Sequence, residues 1–118
     1  PKVERIHYLG NTAKNGTDSE KAIIKKQYLS HGAMIGFDIK GGEKEAFTFL
    51  DNLKLIKLAV SLGGTESLAE HPKTMTHADV DPADKKVMHI TEQLVRLSIG
   101  VENYNDLITD ISQALDKA

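Results

Sequence analysis

The chain is 118 residues long with 40% hydrophobic and 27% charged residues, which suffices for one modest core and excludes a two-domain reading. Fifteen Lys and Arg against seventeen Asp and Glu leave a formal charge of −2, so no net pull toward phosphate backbones exists and nucleic acid is not an expected partner. Without cysteine there is no disulfide framework, thiolate zinc site or thiol nucleophile, and no run approaches the about 18 apolar residues of a membrane span. No membrane partner is expected, and the expected setting is the cytoplasm. The opening Pro1-Lys2-Val3-Glu4-Arg5 lacks an apolar signal-peptide segment, and a first residue other than Met suits a stretch taken from something longer.

Val3 to Tyr8 is rich in strand-favouring residues, and the polar tract from Gly10 to Gly16 reads as a loop. Thr17-Asp18-Ser19-Glu20 has the spacing of a capping box, which predicts a helix from Asp18 to Leu29. Ile24 and Tyr28 share its apolar face, Lys21, Lys25 and Lys26 its solvated remainder, and Gly32 lies just past its end. From Met34 to Lys40 the alternation sets Ile35, Phe37 and Ile39 on one side of a strand that Gly41-Gly42 stops. Glu43 to Asp51 reads as a helix with an acidic first turn and with Ala46, Phe47 and Leu50 toward the core. The end of the ambiguous run that follows, Leu58 to Leu62, is read as a short strand closed by Gly63-Gly64.

Asp81-Pro82 supplies a cap and a first-turn proline for a short helix through about Met88. Leu94 to Ile99 is a strand. The last helix carries Tyr104, Leu107, Ile108, Ile111 and Leu115 at helical spacing behind Asn103 or Asn105 as cap. There is no internal repeat. These elements predict an α+β two-layer sandwich of about four mostly antiparallel strands with helices on one face.

If Val95, Leu97 and Ile99 face the core, Arg96 and Ser98 project together from the other side of their strand. A guanidinium there is a rigid fork suited to gripping a carboxylate through two parallel hydrogen bonds. The other reading, which the residues alone favour, is a structural ion pair with one of the acidic side chains. Ser61, at a strand end before Gly63-Gly64, stands where backbone N–H groups could meet an anion or where the chain simply turns. His71 and His77 lack the third ligand that zinc usually requires, so no metal is expected. His7, His31 and His89 read as surface or cap residues, and Met34, Met75 and Met88 as core filling.

The segments Val60-Ser61-Leu62-Gly63-Gly64-Thr65-Glu66-Ser67-Leu68-Ala69-Glu70-His71-Pro72, Met75-Thr76-His77 and Leu94 to Glu102 together resemble the cystathionine γ-synthase and γ-lyase family of pyridoxal-phosphate enzymes. The resemblance spans nearly the whole chain and lies in the C-terminal domain of that family. It implies the C-terminal domain of an aspartate-aminotransferase-like fold, a small amino-acid substrate, and a parent that is a homotetramer. It also implies that Arg96 binds the substrate α-carboxylate with Ser61 beside it. Within the family, Val60 before the serine is more similar to methionine γ-lyases, since an apolar side chain suits a thioether, whereas a Glu suits cystathionine.

Cystathionine γ-lyase, cystathionine γ-synthase and O-acetylhomoserine sulfhydrylase remain alternatives, as does a stand-alone amino-acid-binding or oligomerisation module. The family's Ser-x-Thr-Lys context for the cofactor lysine does not occur in these residues. Residues 1–118 are therefore expected to form the small domain, with pyridoxal phosphate and the catalytic residues held by a large domain absent here. No cofactor is expected on the small domain alone.

Overall fold

Strands and helices alternate irregularly through residues 2–118, which a computed structural model describes; Pro1 lies outside the described residues. In chain order they are β1 (Val3–His7), α1 (Leu9–Asn15), α2 (Asp18–Gln27), β2 (Met34–Ile39), α3 (Glu43–Asp51), β3 (Lys57–Leu58), β4 (Leu68–Glu70), α4 (Pro82–Val87), β5 (Leu94–Ser98) and α5 (Tyr104–Leu115). The strands form one sheet in the order β1-β2-β5-β4-β3. Its pairs are antiparallel except β3 with β4. The α+β sandwich expected from the sequence is present, with five strands rather than about four.

The period-2 pattern of β2 and β5 sends Phe37, Ile39, Val95 and Leu97 to one face, where Ala69 of β4 joins them. That face is covered by α3 and α5 through Ala46, Phe49, Leu50, Leu107 and Ala114. Phe37 and Phe49 meet edge to face with centroids 5.4 Å apart, a geometry that aligns ring edge with ring face. The opposite face of the sheet is left to loops. Segments 72–77 and 88–90 stand over it and enclose a cavity of about 310 Å³ against β2, β4 and β5.

Thr17 and Glu20 form the expected reciprocal cap of α2. The Thr17 hydroxyl accepts from the Glu20 amide at 3.3 Å, and Glu20 Oε2 accepts from the Thr17 amide at 2.7 Å. Bonds from the Thr17 hydroxyl and amide hold the Glu20 carboxyl below its ordinary value. Thr17→Ala removes the hydroxyl half of the cap, leaves the backbone amide to Glu20, and should lower the melting temperature by about 4 °C. Thermal denaturation followed by circular dichroism checks this.

Several expectations are corrected. The tract read as a loop is helix α1, seeded by the Tyr8 carbonyl, which accepts from the Asn11 and Thr12 amides at 3.0 Å each. It packs on α2 and buries no residue of its own, which is why no apolar period announces it. The strand expected at Leu58 to Leu62 is only Lys57–Leu58, because past Ala59 the carbonyls turn away to Arg96. Strand β4 was not anticipated at all. On α3 the inward aromatic is Phe49, and Phe47 instead stands edge-on to His71. On α5 the inward stripe is Leu107, Asp110 and Ala114, which leaves Tyr104 and Ile108 exposed. Tyr28, Met34 and Met88 are also exposed rather than core.

Candidate functional site

Register places four residues in one row across the loop-covered face of the sheet. His7 pairs with Gly36, Gly36 with Arg96, and Arg96 with Glu70, and directly opposed residues share a face. Because Gly36 has no side chain, the row is low beside the guanidinium, and all four residues line the cavity. Its remaining walls include Pro72, Met88, Ile90 and Leu94. A cationic fork at the base of an apolar enclosure suits a small molecule with an anionic end and an apolar body.

Arg96 is held at both terminal nitrogens. Nη1 lies 2.8 Å from Glu70 Oε1, and Nη2 donates to the carbonyls of Val60 at 3.1 Å and Ser61 at 3.3 Å. Glu70 is fully buried while the Arg96 side chain keeps 21% of its surface. Among the described residues, two buried side-chain polar atoms have no partner: Arg96 Nε and Glu70 Oε2. The structure thus contains the ion pair that the sequence left open as one explanation of Arg96, and it also leaves the Nε–H of the fork without a partner. Ser61 is brought to Arg96 through its backbone carbonyl. The turn after it offers less to an anion than its glycines suggest, since the Gly63 amide already donates to Ser98 Oγ at 2.8 Å.

The loop carrying Ser61 is fixed from two directions. On one side Asp110 of α5 accepts from the amides of Lys54, Leu55 and Ile56 at 2.8, 2.9 and 2.9 Å, which sets the path into β3. On the other, Glu102 Oε1 and Oε2 accept from the Ser67 amide at 2.6 Å and hydroxyl at 2.7 Å, and Ser67 Oγ in turn accepts from the Gly100 amide at 2.8 Å. Bonds from the Ser67 amide and hydroxyl hold the Glu102 carboxyl below its ordinary value. A side chain at Gly100 would run into the Thr65 carbonyl, so glycine is required where these two segments cross.

His71 is fully buried and both its nitrogens are engaged. Nε2 donates to the Glu92 carbonyl at 2.9 Å and Nδ1 meets Thr74 Oγ1 at 2.8 Å, so this side chain is a brace for its loop. Met75 adds to the brace through Sδ, which accepts from the His71 amide at 3.3 Å. Among the described residues no three His, Asp or Glu side chains gather as a metal site would require. Glu70 and Thr76, both of which touch the Arg96 network, were quoted in the sequence motifs without a role. Register gives them one.

The structure has the fold of enzymes that process sulfur amino acids. A cystathionine γ-synthase from Xanthomonas oryzae pv. oryzae, solved in complex with cystathionine, superposes with a TM-score of 0.88 at 35% identity, over 98% of this chain and 29% of that one. The sequence pattern of the Cys/Met metabolism PLP-dependent enzymes matches residues 1–116, and the chain belongs to that family. Relatives include an L-methionine γ-lyase of Fusobacterium nucleatum, 48% identical over 99% of this chain, and a cystathionine γ-lyase of Dictyostelium discoideum, 46% identical over 99%. The chain spans 29% of the length of each.

Members of the family depend on pyridoxal phosphate, a cofactor that its enzymes hold through a lysine. No lysine lines the cavity over Arg96. The lining of this cavity therefore does not fit the cofactor, and no step of chemistry is assigned to it here.

Proposed function

We propose that this chain is the substrate-carboxylate-binding C-terminal domain of a pyridoxal-phosphate enzyme of sulfur amino acid metabolism, the parent being a methionine γ-lyase. Residues 1–118 supply the clamp, and the cofactor and its lysine belong to the remainder of the enzyme. Arg96 takes the α-carboxylate of the amino acid, and the Ser61 segment holds the guanidinium in place from behind. The observation that carries this reading is the Arg96 Nε–H, a buried donor with no partner on a guanidinium whose two terminal nitrogens are both bonded. Buried donors are almost always paired, so an unpaired one beside a cavity marks a place for an acceptor. An anchored fork also brings orientation, because a substrate gripped by its carboxylate loses the freedom to present the wrong bond.

Val60 supports a thioether substrate. Its side chain is half exposed while its carbonyl binds Arg96, so the segment that anchors the fork carries an apolar group there. A distal ammonium would gain nothing from valine. A cystathionine γ-lyase or γ-synthase parent is the second reading, favoured by the 46% identity to the Dictyostelium enzyme and by the structural match.

The test is made on the full-length enzyme. Arg96→Lys keeps the charge and loses the fork, and should raise the KM for L-methionine by about 10- to 100-fold while lowering kcat far less. Unchanged KM would overturn the assignment of Arg96. A kcat/KM for L-cystathionine above that for L-methionine would favour the second reading.

A further inference from the structure

We infer that Thr76 and Glu70 are positioning residues that keep the Arg96 fork open for an incoming carboxylate, an inference that rests on the reading of Arg96 given above. Glu70 poses a difficulty for that reading. A fully buried carboxylate 2.8 Å from the guanidinium is a built-in rival for any substrate carboxylate. Arginine and carboxylate readily form two parallel bonds, and a Glu70 two-bonded through Nη1 would take Nη2 from the Val60 and Ser61 carbonyls and turn the fork out of place. In this structure they do not. One oxygen, Oε1, meets Nη1, while Oε2 and Nε both remain without partners.

Thr76 explains why the pair stops at one bond. Its hydroxyl donates to the same Glu70 Oε1 at 3.1 Å, so that oxygen takes two donors and the carboxylate is fixed end-on to Nη1. A hydroxyl has a single proton. With that proton on Glu70, the 2.8 Å contact between Thr76 Oγ1 and His77 Nδ1 is a bond in which the imidazole donates. Donors thus run from His77 to Thr76 to Glu70, and Arg96 closes the chain from the other end. The Met75-Thr76-His77 motif acquires a role that concerns the clamp, although none of these side chains needs to touch substrate.

Two variants of the full-length enzyme should move in opposite directions. Thr76→Val frees Glu70 to swing into a two-bonded pair, so the KM for L-methionine should rise about 5- to 10-fold with kcat little changed, and Thr76→Ser, which restores the hydroxyl, should return KM to the wild-type value. Glu70→Gln keeps the acceptor oxygen for Nη1 and Thr76 and deletes the rival charge, so KM should stay level or fall. A purely structural role for these residues would change the yield of folded enzyme and leave KM alone.

The inference is overturned if Thr76→Val leaves KM within about twofold of wild type, if Thr76→Ser fails to restore it, or if Glu70→Gln raises it. Arg96→Lys, measured alongside, separates the two levels of the argument. A raised KM for Arg96→Lys with no effect of Thr76→Val removes the positioning role and keeps the carboxylate clamp. No effect of Arg96→Lys removes the clamp itself.

Discussion

Replacing Asp110 with Ala should destabilise the protein by roughly 3–4 kcal/mol at neutral pH, because three backbone amides and the Gln113 side chain lose a charged acceptor at once. The Ile56 amide suffers most, since that residue is only 2% exposed and no water can replace the carboxylate there. Burial pushes the Asp110 carboxyl up, but the amides of Ile56, Lys54 and Leu55 and the Gln113 side chain outweigh it and hold the group below its ordinary value of 3.8. A value depressed in the folded state means that the stabilisation is complete above 3.8 and is lost as the pH falls through the lower folded-state value.

The gap between wild type and Asp110→Ala should accordingly be widest at neutral pH and narrow in acid. Urea denaturation at pH 7 and at successive values below 3.8 measures it. A gap independent of pH would mean that helix packing, not the charge, holds residues 54–56. The consequence reaches the site, because those residues lead through β3 into the Val60 and Ser61 carbonyls that grip Arg96.

Asp110 also shows where reading the sequence reaches its limit. Hydrophobic spacing alone turned α5 so that Tyr104 and Ile108 faced inward, yet the helix is rotated to place Asp110 against three amides. An apolar period cannot register a polar group whose partners lie 54–56 residues away. Strand β4 escaped for a related reason. Leu68, Ala69 and Glu70 are all buried, so they do not alternate, and pairing with β3 and β5 makes a strand of them. Helix α1 buries nothing and depends on its contacts with α2 and β1. By contrast the capped helices, Thr17 onto α2 and Asp81 onto α4, were legible because a cap is a bond between near neighbours. Arg96 lay between: its oddity showed in the pattern of its strand, while its partner Glu70 needed the register.

That partnership leads to the second large effect, which separates what stabilises the fold from what serves the site. Arg96→Met should destabilise the protein by about 2–3 kcal/mol, because it leaves the fully buried Glu70 with the Thr76 hydroxyl as its remaining donor. The figure is held below that of a fully buried pair since Arg96 keeps 21% of its side-chain surface in solvent, where water screens the interaction. Glu70→Met strands the guanidinium in turn, at a smaller penalty because water can reach it.

The double variant Arg96→Met/Glu70→Met should recover to within about 1 kcal/mol of wild type, since two apolar side chains then fill the space of two desolvated charges. Denaturant unfolding of the four proteins completes the cycle. If the single effects simply add, the ion pair is not a coupled unit and the argument from its burial fails. If the double variant is as stable as expected, yet the full-length enzyme carrying it no longer saturates with L-methionine, stability cannot be the reason for placing two charges in this row of the sheet. The remaining reason is then the fork itself, held end-on by Glu70 with a buried Nε–H that still lacks an acceptor.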